Sequence, residues 1–159
     1  MSPSPLTSVL QITNPKTWAP FFVPTTPWLD HLLGTLSRHM SNYPRGQISF
    51  LFTSNRVIRR YNAQYRNIDK PTNVLAFPAS SPIPSWTFLG DIVLGFEQIL
   101  SESHDLQIDF AHHLTHMVIH GALHLMGFDH QTEAETRIMR AHETKTLHQL
   151  GLSSPFSTP

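Results

Sequence analysis

The residues best suited to chemistry are three histidines in the segment HGALHLMGFDH, at residues 120–130. His120 and His124 are four residues apart in a stretch with helical character, so both imidazoles leave the same face of a helix. Gly127 allows the chain to turn back, and His130 then offers a third nitrogen from outside the helix. This spacing predicts a metal site with three protein ligands and one open coordination position, as in catalytic zinc sites.

The same motif argues against one use of such a site. Zinc proteases with the spacing HxxxHxxGxxH carry a glutamate directly after the first histidine, where it acts as the general base. In this chain that position is Gly121. The chain contains no cysteine, so histidine and carboxylate side chains remain as ligands, and the expected cofactor is a single Zn²⁺ ion.

Length and composition favour one globular domain. We expect residues 1–159 to form a single metal-dependent hydrolase domain with a tail from about residue 151. The formal net charge is zero, so no global basic surface for nucleic acid is expected. The first ten residues do not have the pattern of a signal peptide. No apolar run approaches the roughly 18 residues of a membrane span, and we expect a cytoplasmic protein without a membrane partner.

Strand-like and helix-like patterns of apolar residues follow one another along the chain. Strands are expected at residues 6–13, 47–53, 72–77 and 88–95, the last two able to pair as a hairpin. Helices are expected at residues 27–41 (with Thr26 as N-cap), 55–65, 96–103, 109–127 and 132–150. The Pro-rich residues 14–26 are expected to form an ordered loop. The predicted order is βαβαββααα.

Several charged and polar side chains can be read in two ways. Arg56, Arg59 and Arg60 lie on one predicted helix together with few acidic residues. They form either a solvated helix face or, for Arg59 and Arg60, a local contact surface for RNA. Asp129 adjoins a metal ligand and can either orient a histidine ring or serve as a turn residue. Asp91, inside an apolar strand, requires a partner, and structural pairing is the favoured interpretation.

Two further expectations concern side chains near the predicted ligands. His113 and His116 share the helix face of the ligands, but each turn of helix displaces them by about 5.4 Å along the axis. They are therefore not expected to bind the metal. Arg66 comes just after the predicted helix, in a loop, where functional residues are common.

Three separated segments resemble one known family. HGALHLMGFDH resembles the signature of the YbeY metal-dependent endoribonucleases. YNAQYRNIDKPTNVLAFP, at residues 61–78, resembles that family's arginine-containing turn and following strand, and LGDIVL, at residues 89–94, resembles its next strand. The resemblance covers about residues 61–150. Asn73 and Ala76 depart from the commoner aspartate and serine of the family.

The resemblance implies a fold, a site and a function. The implied fold is α+β, a small mixed four-stranded sheet with helices packed on it. His120, His124 and His130 correspond to the zinc ligands, and Arg66 corresponds to the active-site arginine. The implied activity is zinc-dependent cleavage of single-stranded RNA in ribosomal RNA maturation, at the 3′ end of the small-subunit RNA, and in ribosome quality control. The implied partners are ribosomal RNA and ribosome-associated proteins.

Two other functions remain open on the sequence. One is a metal-dependent hydrolase of another substrate, a peptide or amide, with a carboxylate from elsewhere in the chain as general base. The other is a non-catalytic ribosome assembly factor whose metal site is structural. A carboxylate facing the open position of the metal would favour the first, and a fourth protein ligand would favour the second.

Overall fold

A computed structural model describes residues 6–40, 45–79 and 87–156 as one mixed sheet with helices on both faces. The strands are β1 (Thr7–Ile12), β2 (Gly46–Thr53), β3 (Val74–Pro78) and β4 (Thr87–Gly95). The helices are α1 (Pro15–Trp18), α2 (Thr26–Ser37), α3 (Asn55–Arg66), α4 (Phe96–Leu106), α5 (Phe110–Leu125) and α6 (Glu133–Gln149). The predicted α+β class is confirmed, with α1 as the one addition to the predicted order within this part of the chain.

The strand order in the sheet is β1-β2-β4-β3. Strands β1, β2 and β4 are parallel neighbours, whereas β3 runs antiparallel to β4 along its outer edge. The predicted pairing of the last two strands is therefore confirmed. The parallel pairs require crossover connections, and these are made through α2 between β1 and β2 and through α3 and β3 between β2 and β4.

The predicted loop at residues 14–26 contains α1, which is too short for a periodic pattern to reveal. Its last residue, Trp18, is buried and packs edge-on against Phe52, Phe96 and Phe110, at ring-centroid distances of 5.4, 5.0 and 5.9 Å. Such aromatic contacts stabilise the core beyond the area that they bury. The loop is therefore ordered, as expected, because an indole anchors it beneath the sheet.

Some helix ends differ from those predicted. The side chain of Thr25, and not that of Thr26, caps α2 by accepting a hydrogen bond from the backbone nitrogen of Trp28 at 3.2 Å. Helix α2 ends at Ser37, short of residue 41, and residue 41 itself lies outside the described residues. Helix α4 continues to Leu106 because the left-handed residue that ends it is Gln107.

The two faces of the sheet carry different layers. The main core lies between the sheet and the helices α2 and α5, and alternate residues such as Phe50, Ile92 and Leu94 point into it. On the other face, Ile58 of α3 packs against Leu75 and Val93. Among the described residues, no helix combines the length and the apolarity that a bilayer span requires.

Helix α5 lies directly on the sheet at Gly121. A Cβ atom at this position would lie 3.0 Å from Cγ2 of Ile92 and 3.2 Å from Cγ2 of Val74. Both atoms belong to β-branched side chains, which have little rotamer freedom. The position after the first histidine of the motif therefore faces the core, and a glutamate there would have no space and no access to the ligand face.

We predict that Gly121→Ala destabilises the protein by about 1–2 kcal/mol, because overpacking outweighs the gain in helix propensity. The matched control is Gly34→Ala in α2, where a Cβ would meet nothing within 4 Å. The control should gain about 0.5–1 kcal/mol from propensity alone. Urea unfolding of both variants measures the difference, and an equal gain in both would contradict the close packing of α5.

Candidate metal centre

Two of the predicted ligands, His120 and His124, lie in the last two turns of α5, and His130 lies in the loop that follows. The helix ends in a left-handed turn at Gly127, which has a φ of 98°. The backbone nitrogens of Gly127 and Phe128 donate hydrogen bonds to the carbonyls of His124 and Leu123, respectively. This is the Schellman pattern, and it returns the chain so that His130 faces the helix.

The three imidazoles converge on one point. Ring centroids of His120 and His124 are 4.7 Å apart, and the ring of His130 lies 5.6 and 5.0 Å from them. One nitrogen from each ring can be chosen so that all three lie within 4.8 Å of one another. The structure thus brings the three predicted ligands together, and no other donor joins this group among the described residues.

A buried glutamate of α6 stands behind the first ligand. The Nδ1 atom of His120 lies 3.1 Å from Oε1 of Glu143, and the other oxygen of Glu143 is hydrogen-bonded to Nε2 of His116. Nδ1 of His124 lies 3.1 Å from the backbone carbonyl oxygen of Phe128. Because these oxygens can only accept, both Nδ1 atoms carry the proton and donate, which leaves both Nε2 atoms with a lone pair.

The distance between these two Nε2 atoms shows whether a metal ion would fit between them. Nε2 of His120 and Nε2 of His124 are 3.1 Å apart, and with both Nδ1 atoms protonated neither nitrogen has a proton for the other. Such an arrangement is repulsive unless a cation lies between them. Two nitrogens bound tetrahedrally to Zn²⁺ at about 2.0–2.1 Å would be roughly 3.3 Å apart. The donor set and its spacing therefore fit a transition-metal ion.

Shifted pKa values at the site concern Glu143 and His124. Burial raises the pKa of Glu143, but the hydrogen bonds from His116 and His120, together with the charges of these rings when they are protonated, outweigh burial and lower it to about 2. Burial and the neighbouring rings of His120 and His130 lower the pKa of His124, against a smaller opposing effect of the Phe128 carbonyl. Glu143 is therefore a carboxylate and His124 a neutral ligand near neutral pH.

A second buried histidine of α5 is paired with a glutamate, further from the candidate metal site. Nε2 of His113 lies 2.8 Å from Oε1 of Glu102 in α4, and the amide of Asn73 donates to the same oxygen at 3.0 Å. Burial raises the pKa of Glu102, but the hydrogen bonds from His113, Asn73 and Gln98 outweigh it and lower the pKa. The departure at Asn73 thus supplies a donor to a carboxylate, where an aspartate would repel it.

His113 and His116, which were not expected to bind the metal, are both buried and bonded to glutamates. Sequence reasoning missed Glu143 and left Asp129 open, either as a carboxylate that orients a histidine ring or as a turn residue. Asp129 accepts a hydrogen bond from the backbone nitrogen of its neighbour His130 at 2.8 Å, as a turn residue does. Only the position of Glu143 on the buried face of α6 could have indicated its role.

The predicted arginines lie on α3. The helix ends one residue later than expected, so Arg66 is its last residue and does not lie in the loop, because the left-handed residue that ends the helix is Asn67. Arg66 is exposed and makes no hydrogen bond or ion pair within the described part of the chain. Arg59 is paired with Asp69 at 2.8 Å, with both side chains largely exposed. Arg60 is exposed and has no carboxylate partner in the ranges that the structure describes.

Asp91 lies on the exposed side of β4, on the same face of the sheet as α3. The structural partner expected for it is not found among the described residues. Its side chain lines an open groove together with Ser49 and Tyr61. Solvent in this groove takes the place of the partner that a buried carboxylate would need.

The fold and the site define an α+β protein with a three-histidine centre that could hold a metal ion, and a buried carboxylate orients one of the three rings. A family model described as Endoribonuclease YbeY matches residues 24–151, and the chain belongs to this family. The resemblance seen in the sequence is thereby confirmed over most of the chain.

Similar proteins and one solved structure agree with this assignment. The chain is 45% identical over 113 residues to "Endoribonuclease YbeY" of Rhizobium etli, covering 69% of this chain and 66% of that protein. It is 43% identical over 113 residues to the Sinorhizobium fredii protein of the same name, covering 69% and 65%. The matched region therefore spans slightly less than two thirds of these relatives. A solution structure from Thermotoga maritima has a TM-score of 0.54 at 18% identity, covering 96% of this chain and 99% of that one, and supports the fold alone.

We predict that Glu143→Gln weakens Zn²⁺ binding by about tenfold to a hundredfold, as loss of a carboxylate behind a ligating histidine typically does. The glutamine keeps the volume but removes the charge that holds the proton on Nδ1 of His120. Glu133→Gln, an exposed change in the first turn of the same helix, should leave affinity unchanged. Competition with a chromogenic chelator measures both, and equal affinities would contradict the role of Glu143.

Glu143 should also make the stability of the metal-free protein depend on pH. Its folded pKa of about 2 lies below the ordinary value of 4.5, so its contribution is present above about pH 5 and is lost as the pH falls toward 2. The contribution amounts to about 3 kcal/mol. Denaturant unfolding of chelator-treated protein between pH 6 and about pH 2 should show this loss. The loss should be smaller in Glu143→Gln, and parallel curves would contradict the prediction.

Proposed function

We propose that this chain is a zinc-dependent endoribonuclease that cleaves phosphodiester bonds of single-stranded RNA at the centre formed by His120, His124 and His130. Membership of a family described as Endoribonuclease YbeY supports the reaction class. The observation that carries the proposal is the composition of the centre: three imidazoles converge, and the carboxylate of Glu143, which is hydrogen-bonded to the ring of His120, has both oxygens occupied.

This composition disfavours both alternatives. A peptide or amide hydrolase needs a carboxylate facing the open coordination position, but Gly121 packs on the sheet and Glu143 is held by two histidines. A structural metal site needs a fourth protein ligand, and none joins the three histidines within the described residues. Phosphodiester cleavage is compatible with such a site, because positioning and electrostatic stabilisation provide most of the catalysis.

The reaction divides between the metal and the protein. When bound, Zn²⁺ supplies Lewis acidity toward a phosphoryl oxygen and lowers the pKa of a water molecule. Glu143 and the Phe128 carbonyl hold the rings of His120 and His124 through Nδ1, so their Nε2 atoms would be the ones to hold the ion. Arg66 is exposed and unpaired within the described residues, and its planar guanidinium can bind two phosphate oxygens and stabilise the charge that develops on them.

The proposal extends to the biological substrate. We propose ribosomal RNA as the substrate, in 3′ end processing of the small-subunit RNA and in ribosome quality control, with ribosome-associated proteins as partners in the cytoplasm. Family membership supports this extension. We also propose that residues 1–159 work as one hydrolase domain, since the described strands form a single sheet around one main core.

The first test is cleavage of ribosomal RNA precursors and single-stranded oligonucleotides by the zinc-loaded protein. His124→Ala removes one of three ligands and should abolish zinc binding and cleavage together. His148→Ala, an exposed histidine of α6, is the matched control and should retain both. Full cleavage by His124→Ala would contradict the assignment of the centre.

Arg66→Ala should lower the cleavage rate by roughly 10²–10³, as loss of a group that stabilises transition-state charge does. Its stability should change by less than about 0.5 kcal/mol, because the side chain is exposed. Arg66→Lys keeps the charge but loses the bidentate contact with phosphate, so its cleavage rate should lie between those of the wild type and Arg66→Ala. Normal cleavage by Arg66→Ala, or failure of this variant to fold, would rule out the proposed role.

A further inference from the structure

A cavity of about 260 Å³ adjoins the histidine centre, and residues outside the histidine motif form part of its lining. The ligands His120 and His130 line one part of it. Helix α6 and the segment after it supply the rest, including Thr136, Arg140 and Phe156. A cation of α6 therefore stands at the same cavity as two of the metal ligands.

Helix α6 fixes this cation relative to the centre. Arg140 precedes Glu143 by three residues, so the two side chains are neighbours on the helix surface. Glu143 points inward to His120, while Arg140 is exposed at the cavity. One turn earlier, the hydroxyl oxygen of Thr136 lies 3.3 Å from the carbonyl oxygen of His130, while it makes its shorter hydrogen bond, of 2.8 Å, to the carbonyl of Thr132. The same helix thus contacts both ligands that line the cavity and carries the arginine between these contacts.

Phe156 holds the arginine in place. The guanidinium carbon of Arg140 lies 4.6 Å from the ring centroid of Phe156, within the range of a cation–π interaction. The ring of Phe156 also packs edge-on against His116, at a centroid distance of 5.5 Å. Arg140 therefore has a preferred position, although it is an exposed side chain.

The segment that carries Phe156 is itself fastened to the two last helices. The hydroxyl of Ser154 lies 2.8 Å from that of Thr144 in α6. Nε2 of His112 in α5 donates to the carbonyl of Ser153 at 2.8 Å. These hydrogen bonds connect residues far apart in the chain, so Phe156 is a fixed support for Arg140 and not a passing contact.

The guanidinium of Arg140 is available for a ligand. Within the described residues no carboxylate pairs with it, in contrast to Arg59, which is paired with Asp69. The nearby Glu143 already uses both oxygens. A contact with a ring uses none of the N–H groups of the guanidinium as donors to an oxygen, and these groups match the oxygens of a phosphate.

We infer that Arg140 binds a phosphate group of the RNA strand in this cavity and that Phe156 positions it. The inference rests on the proposed function for the identity of the anion, and on the cavity and the ring contact for its place. Arg66 lies on α3 and Arg140 on α6, so the two arginines contact the strand from different elements.

The test uses the full chain loaded with zinc and inorganic phosphate as the probe. Arg140→Ala should raise the dissociation constant for phosphate by about tenfold, as expected for one charge-assisted contact. Arg137→Ala removes the same charge one turn away on an exposed position of α6 that does not line the cavity. This control should bind phosphate as the wild type does. Phe156→Leu keeps an apolar side chain without the ring and should weaken binding to a smaller degree.

A second arm uses single-stranded RNA. Arg140→Ala should raise KM more than it lowers kcat and should flatten the log–log dependence of affinity on salt by about 0.7. Zinc content and thermal unfolding should be unchanged, because the side chain is exposed. Arg140→Gln keeps a long polar side chain without the charge and should show the same loss of affinity. This variant replaces Arg140→Ala if the alanine variant does not fold.

The two arms separate the inference from the proposed function. If phosphate binding depends on Arg140 but the wild type cleaves no RNA, the anion site stands and the endoribonuclease proposal fails. If Arg140→Ala or its glutamine substitute binds phosphate and RNA as tightly as Arg137→Ala, the inference is overturned, whether or not the wild type cleaves RNA.

Discussion

The pairing of the buried Glu143 carboxylate with His116 and His120 is the interaction on which the centre depends. A carboxylate with 1% of its surface exposed would be strongly destabilising without partners. Its two histidines provide those partners, and in return the carboxylate decides which nitrogen of His120 carries the proton. The same contact therefore packs α6 against α5 and sets the tautomer of His120. Any change that separates these helices would disturb the ligand before it disturbed the sheet.

This arrangement also explains why α5 tolerates several histidines in its buried surface. His113 and His116 are almost fully buried, each against a glutamate from a different neighbouring helix. Glu102 secures α5 to α4, and Glu143 secures it to α6. Polar pairs of this kind have strict geometric requirements, so they fix the rotation of α5 about its axis. This rotation places His120 and His124 beside His130 while the apolar side chains of α5 meet the sheet.

The features that could be predicted from the sequence are those that depend on residues close together in the chain. Strand alternation gave the four strands, and the spacing of His120, His124 and His130 around a glycine turn gave the centre, because each depends on residues near one another in the chain. Glu143 could not be found this way, since it is 23 residues from His120 and its helix pattern alone does not say which neighbour it meets. The short helix that ends at Trp18 was missed because its four residues carry no periodicity. Resemblance to a family added Arg66, which no pattern in the chain singles out.

The close contact of Gly121 with β4 has a consequence for how metal-binding motifs are compared. Two proteins can share the spacing of three histidines and still differ in which side of the helix rests on the sheet. Here the residue after His120 is shielded by Ile92 and Val74, so writing a glutamate into that position would not convert the centre into a protease. The helix would first have to turn or lift away, and every histidine on it would move as well. The orientation of the helix on the sheet thus separates this centre from that of a zinc protease, and a single substitution does not change that orientation.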